Sequence, residues 1–177
     1  TFALILSLSR MISDSYERTR RGDFSCQNIQ GFDLDGKVLG VLGTGRIGRK
    51  VIEIAKGFNM SVLAFDKYPN MKAAGELGFS YVDAQTLLKE SDIVTLHLPL
   101  NDETYHFLNE NTIKTMKKDA VVINTARGGL IDSQALTKAL TSGHLAGAGL
   151  DVLEEESLIR EEAQLLLDNL PREQLAT

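Results

Sequence analysis

Three glycines and one acid are the residues best spaced to do chemistry. Gly43, Gly45 and Gly48 punctuate the run Gly43-Thr44-Gly45-Arg46-Ile47-Gly48. In such a run Gly43 lets the chain turn sharply off a strand. Gly45 has no Cβ, so a pyrophosphate can approach the backbone, and Gly48 lets the next helix lie close on the strand. The helix start then offers unpaired N–H groups and the positive end of its dipole to a diphosphate. Asp66 stands about twenty residues further on, the spacing at which a carboxylate grips the ribose hydroxyls of NAD. By like charge it would repel the 2′-phosphate of NADP, and Lys67 beside it would soften that preference. Three more polar residues, His97, Arg127 and Asp151, follow apolar runs in the same way.

The elements needed to position these groups are legible on either side of them. Residues 37–42 are short and apolar, a buried strand, and residues 49–56 carry apolar side chains at helical spacing. Residues 61–65 make a second strand that ends at Asp66. The alternation continues with a helix over 71–77, a strand over 79–82, a helix over 84–90 and a strand over 93–98 stopped by Pro99. A helix through Met116 starts under Asn109 or Asn111. A strand over 120–124, a turn over 125–129, a helix through Leu140 capped by Asp132 or Ser133, and a strand over 145–150 follow. This alternation predicts an α/β fold, a doubly wound parallel sheet of the Rossmann type with helices on both faces. Ligands bind such sheets at the carboxyl ends of the strands, where Gly43, Asp66, His97, Arg127 and Asp151 all fall.

Ahead of this pattern, residues 2–21 read as one amphipathic helix with Leu4, Ile5, Leu8, Met11 and Ile12 on one face and Gly22 as its stop. It either packs on its own domain or forms a surface shared with another domain or subunit. Beyond it, residues 154–170 are acidic, then amphipathic and helical, with a stop at Pro171. The expected division is a linking helix and connection over 1–30, a nucleotide-binding domain over 31–153 and an acidic helical insert over 154–177.

Bulk properties narrow the class. The 177 residues suffice for a proper core, and 43% hydrophobic with 24% charged residues is ordinary for a globular protein. A net charge of -5 argues against a general nucleic-acid binder. A single cysteine, Cys26, permits no internal disulfide and fits a reducing compartment, the cytoplasm. No apolar stretch is long enough to cross a membrane as a helix.

Four stretches resemble the D-isomer-specific 2-hydroxyacid dehydrogenases: residues 35–48 around the glycine turn, 91–100 around His97, 123–132 around Arg127, and 147–156, Gly-Ala-Gly-Leu-Asp-Val-Leu-Glu-Glu-Glu. The resemblance covers nearly the whole chain, and the Arg127 and Asp151 stretches are specific to the family. It implies an NAD-dependent oxidoreductase that moves hydride between NAD(H) and a small 2-keto or 2-hydroxy acid, acting as a homodimer. Carried over by position, Arg46 and Ile47 meet the pyrophosphate, and Asp66 holds the adenosine ribose. His97, Leu98 and Pro99 border the cofactor. Thr125 and Ala126 flank the nicotinamide, and Asp151 bonds its carboxamide. Arg127 matches the catalytic arginine, whose fork suits a substrate carboxylate. Glu156 matches the carboxylate that assists the catalytic histidine. Plainer readings stand beside these: a surface charge for Arg127, a cap for Asp151, a solvated helix start for Glu156.

Two departures from the family pattern matter. No histidine among His97, His106 and His144 matches the catalytic one, which is expected beyond Thr177. Glu156 is followed by Ser157 and a helical insert over 158–170 rather than by proline, which leans toward D-lactate-dehydrogenase-like branches. The rival from another class is a non-catalytic NAD-sensing corepressor or scaffold of the same fold. A second rival, an adenosylhomocysteine hydrolase, is opposed by the arginine turn.

Overall fold

The structure, a computed structural model, describes residues 1–156. Within them the strands β1 (Val38–Leu42), β2 (Ser61–Phe65), β3 (Ser80–Tyr81), β4 (Ile93–Leu96), β5 (Ala120–Asn124) and β6 (Leu145–Leu150) form one sheet. Its order is β3-β2-β1-β4-β5-β6 and every pair is parallel, the doubly wound topology expected. The strand order reverses between β1 and β4, which opens a crevice at their carboxyl ends. The helices are α1 (Phe2–Ser9), α2 (Ile12–Arg20), α3 (Arg46–Gly57), α4 (Met71–Leu77), α5 (Ala84–Glu90), α6 (Glu110–Thr115) and α7 (Ser133–Thr141). None of the described helices is long and apolar enough to cross a membrane.

Alternate strand residues bury on opposite faces, and both faces are covered. Leu39 and Val41 of β1, Val62 and Ala64 of β2, and Val121 and Ile123 of β5 share a core with Ile5 of α1 and with Val51, Ile52 and Ala55 of α3. Leu42, Val94, Leu96 and Val122 pack on the other side with Leu87 and Leu88 of α5, Ile113 of α6, and Leu136 and Ala139 of α7. A strand buried on both faces reads as an unbroken apolar run, which is why these strands are legible as such.

The start of the chain departs from the single helix expected over 2–21. The helix breaks at Arg10 and Met11, where Met11 takes a left-handed backbone (φ 49°) and starts α2. The Ser9 carbonyl, which the next turn of a continuous helix would use, instead accepts a hydrogen bond from the Phe32 amide at 2.9 Å. Gly31 permits this, since a Cβ there would lie 2.1 Å from the Ser9 oxygen. α1 packs on its own domain: Leu4 lies against Gly149 and Leu8 against Gly147, on the face of β6 that the small residues leave flat. α2 buries none of its residues, and Ile12 and Tyr16 stand exposed on it. Gly22 does end the helix, with φ 76° and the Asp23 amide bonded back to the Arg18 carbonyl.

Other boundaries shift by a few residues. α3 starts at Arg46, three residues before the start expected at Arg49. β3 keeps only two residues of the four expected, because it pairs at the sheet edge with Leu63 and Ala64 alone. Asn109 and Asp132 supply the side-chain caps of α6 and α7. The helical insert over 158–170 and the stop at Pro171 lie outside the described residues.

Candidate functional site

Register brings Asp66, Gly43, His97 and Asp151 to one edge as expected, whereas Arg127 lies three residues past the end of β5, at the tip of the next turn, and Thr125 takes its place in the row. Phe65, Leu42, Leu96, Asn124 and Leu150 lie side by side across the sheet, each the registered partner of its neighbour. The residues that follow them are Asp66, Gly43, His97, Thr125 and Asp151. Five strands therefore end in one row, and the residue that leaves each strand is one singled out by type or by resemblance. Backbone bonds carry the ladder one step further, from the Gly43 amide to the Phe65 carbonyl (2.8 Å), from His97 to Leu42 (2.7 Å) and from Asp151 to Asn124 (2.9 Å).

The glycine turn is built as an anion cradle. Gly43 has φ 96°, and a Cβ on it would meet the His97 carbonyl oxygen at 2.7 Å, so β1 and β4 could not end this close with any side chain there. A Cβ on Gly48 would fall 2.0 Å from the Gly43 oxygen, whereas one on Gly45 would point into open space, on the side left clear for a ligand. α4, α5, α6 and α7 each begin under a side-chain cap, from Asn70, Asp83, Asn109 and Asp132. α3 begins at Gly45 with none. Its first-turn N–H groups and dipole end thus face the crevice without a side-chain acceptor, which fits the diphosphate of a dinucleotide. Arg46 and Ile47 are exposed on that first turn.

Asp66 is more than a strand-end acid. Its Oδ2 accepts from the Thr44 amide (2.7 Å) and the Thr44 hydroxyl (2.8 Å), and its Oδ1 from the Tyr68 amide (2.9 Å). With the Thr44 hydroxyl donating to Asp66, the Tyr81 hydroxyl 2.7 Å away donates to Thr44 and itself accepts from the Asn70 amide at 3.1 Å. The chain Asn70, Tyr81, Thr44, Asp66 fixes the carboxylate and the glycine loop to one another. Burial alone would raise the Asp66 pKa, but the hydrogen bonds from Tyr68 and Thr44 outweigh it and hold the carboxyl below its ordinary value. Oδ2 is filled by two donors from Thr44, so Oδ1 is the oxygen with capacity for a ribose hydroxyl. Neither type nor spacing marks this role of Thr44 and Tyr81 in the sequence, because each works through another side chain.

On the other half of the sheet, His97 packs over the end of β4 with Nε2 3.0 Å from the Thr95 hydroxyl. Burial lowers its pKa from the ordinary 6.5, which keeps the ring neutral at pH 7. Leu98 is buried and Pro99 exposed on the segment leaving β4. Thr125 shares a hydroxyl contact of 3.0 Å with Thr1. Buried Asn124 shapes the next turn: its Oδ1 accepts from the Ala126 amide and its Nδ2 donates to the Arg127 carbonyl, at 3.0 and 2.9 Å. Arg127 is exposed at the tip of that turn, with Nη1 donating to the Ala126 carbonyl at 2.7 Å. The signal for Asn124 was available, since a short amide at a strand end commonly folds back on the next two residues.

The segment after β6 is pinned rather than loose. A Cβ on Gly128 would fall 2.0 Å from the Leu153 carbonyl oxygen, so the Arg127 turn lies directly on residues 153–154. Glu154, expected only as part of an acidic helix start, reaches His106 Nε2 at 2.5 Å, and its Oε2 accepts from the Ser133 amide at the start of α7 (3.1 Å). Burial raises its pKa, but the bonds from His106 and Ser133 more than offset this and leave it lowered. Tyr105 stacks on His106, with ring centroids 3.9 Å apart. Glu156, half-buried, follows two residues after this clasp. His144 is remote from the row: it bonds to the Ile113 carbonyl at the opposite end of β6.

Comparisons with known proteins agree with this geometry. The family model of the D-isomer specific 2-hydroxyacid dehydrogenase NAD binding domain matches residues 2–171. The D-lactate dehydrogenase of Escherichia coli (strain K12) is 48% identical over 153 residues, 86% of this chain and 46% of that protein. A glyoxylate reductase of Thermococcus litoralis is 44% identical over 168 residues, 91% of this chain and 51% of that protein. Among solved structures, the D-lactate dehydrogenase of Aquifex aeolicus complexed with NAD and lactic acid superposes with a TM-score of 0.88 at 37% identity, covering 99% of this chain and 52% of that one. The chain spans about half the length of the curated relatives it matches. A dinucleotide cradle at the switch point of a six-stranded parallel sheet, matched over nearly its full length by one family, makes this chain a member of the D-isomer-specific 2-hydroxyacid dehydrogenases, as their NAD-binding domain.

Proposed function

We propose that this chain is the cofactor half of a dehydrogenase that interconverts a small 2-keto acid and its D-2-hydroxy acid. The observation that carries the reading is the registered row of strand ends, which sets the glycine turn, Asp66, His97, Thr125 and Asp151 along one crevice. Bound NADH supplies the hydride. Gly43, Gly45, Gly48, Arg46 and Ile47 seat its pyrophosphate, and Asp66 takes the adenosine ribose. His97, Leu98 and Pro99 line the crevice beside it. Thr125, Ala126 and Asp151 hold the nicotinamide end. Arg127 clamps the substrate carboxylate, and Glu156 assists a histidine that gives up the proton.

That histidine is none of the three in the chain. His97 is neutral and faces Thr95, His106 is bound to Glu154, and His144 lies at the other end of the sheet. Residues 31–153 form the nucleotide-binding domain on this reading, residues 1–30 connect it to a substrate domain, and residues 154–177 lead back to that domain. We further place the protein in the cytoplasm as a homodimer, with the exposed Ile12 and Tyr16 of α2 in the shared surface. The sensor reading gains no support, because the relatives named above are dehydrogenases and reductases.

The test uses the 177-residue chain itself. It should titrate saturably with NADH by fluorescence yet leave NADH absorbance flat with pyruvate or glyoxylate. A positioned general acid is worth about 10²–10⁴-fold in rate, and substrate clamped only from one side is not held in line with the nicotinamide. Turnover at an ordinary enzymatic rate would place the proton donor inside the chain, and absence of NADH binding would remove the cofactor assignment.

A further inference from the structure

The adenosine corner of the crevice holds a second carboxylate with no assigned role. Lys67, directly after Asp66, turns its ammonium away to Glu103 and meets both carboxylate oxygens, Oε1 at 2.8 Å and Oε2 at 2.6 Å. Lys67 leaves β2 and Glu103 belongs to the loop that follows β4, so the pair joins the loops on either side of β1, above the glycine turn. Glu103 is set there by its neighbours: Asn101 Oδ1 accepts from the Glu103 and Thr104 amides at 3.0 and 3.1 Å.

NADP(H) differs from NAD(H) only by a 2′-phosphate, which brings about 1.5 to 2 further negative charges to the ribose that Asp66 holds. A cation beside that ribose is what makes such a phosphate acceptable. Lys67 is positioned in sequence to be that cation, and by itself it would weaken the selectivity Asp66 confers. In the structure its charge is already engaged by Glu103.

We propose that Glu103 is a specificity-determining residue for the nucleotide: by holding Lys67 it denies a 2′-phosphate that cation and keeps the site selective for NAD(H). The inference rests on the placement of the adenosine ribose at Asp66. Consistent with it, the Lys67 pKa is raised, first by its hydrogen bond to Glu103 and then by that carboxylate's charge.

Binding of NADH and NADPH, followed by fluorescence at low ionic strength, tests it in four proteins: wild type, Glu103→Gln, Lys67→Met and the double variant. Glu103 is 66% exposed in its side chain, so the substitution leaves the fold intact. Glu103→Gln should lower the NADPH Kd about three- to tenfold, the size of a charge interaction across about 6 Å of solvated surface. It should shift the NADH Kd far less. The gain should shrink as salt shortens the Debye length and vanish when Lys67 is methionine. An unchanged NADPH-to-NADH ratio in Glu103→Gln, or the same gain in the Lys67→Met background, overturns the role of Glu103 while leaving the cofactor site in place. A wild-type protein that binds neither nucleotide overturns the cofactor assignment and this inference together.

Discussion

Arg127 shows what a residue gains from the turn that carries it. Asn124, buried at the end of β5, ties both the Ala126 amide and the Arg127 carbonyl, so the guanidinium starts from a fixed backbone although its own tip is exposed. A fork on a fixed base suits two-point recognition of a carboxylate, and lysine offers only a point charge there. If the proposed function holds, Arg127→Lys in the full-length protein should lower kcat/KM for a 2-keto acid about ten- to a hundredfold, the worth of about 1.5–3 kcal/mol for a charge-assisted hydrogen bond. NADH affinity should barely move, since Arg127 lies three residues beyond the row of strand ends. A lysine variant with wild-type kcat/KM would leave Arg127 as a surface charge. His97 illustrates the opposite case: a histidine at a strand end, an obvious candidate for proton transfer by type, is made neutral by burial and is better suited to line the crevice.

At the scale of elements, the clasp between the β4 loop and the segment after β6 decides how the chemistry-bearing turns lie. Glu154 joins His106 from one side and the start of α7 from the other, while Gly128 brings the Arg127 turn onto residues 153–154. Three separate stretches, carrying His106, Arg127 and Glu156, are thereby fixed relative to each other. Glu154→Gln keeps the shape and removes the charge. It should cost about 1.5–3 kcal/mol near neutral pH, the range for hydrogen bonds to a charged group. Because the folded-state pKa of Glu154 is depressed below its ordinary 4.5, this stabilisation is present above that pH and is lost as pH falls through the lower folded value. Urea unfolding of wild type and variant should therefore differ at pH 7 and converge well below pH 4.5. A gap of equal size at both pH values would mean that the charge of Glu154 is not what holds the clasp.

For the molecule as a whole, α1 belongs to the core. Ile5 is 1% exposed and packs among strand and α3 residues, and Leu4 and Leu8 rest on the glycines of β6. Ile5→Ala should cost about 2–5 kcal/mol, read as a lower urea midpoint with an unchanged slope. A loss below about 0.5 kcal/mol, the usual limit for a surface site, would detach α1 from the folded unit. The sequence alone determined the strand-helix alternation, the parallel doubly wound class and the five strand ends that matter. Those follow from local signals: apolar runs buried on both faces, caps such as Asn109 and Asp132, and glycines that only a tight turn explains. Resemblance added Glu156 and the role of Arg127. Only the tertiary structure decided the break in the first helix, because the Ser9 carbonyl is taken by Phe32, twenty-three positions along the chain. It alone showed Tyr81 steadying Asp66 through Thr44, Glu103 holding Lys67, and Glu154 leaving its acidic run for His106. Each of those is a contact between polar side chains far apart in sequence. No periodicity or propensity encodes such a pairing, since it exists only once the sheet has set the loops of neighbouring strands side by side.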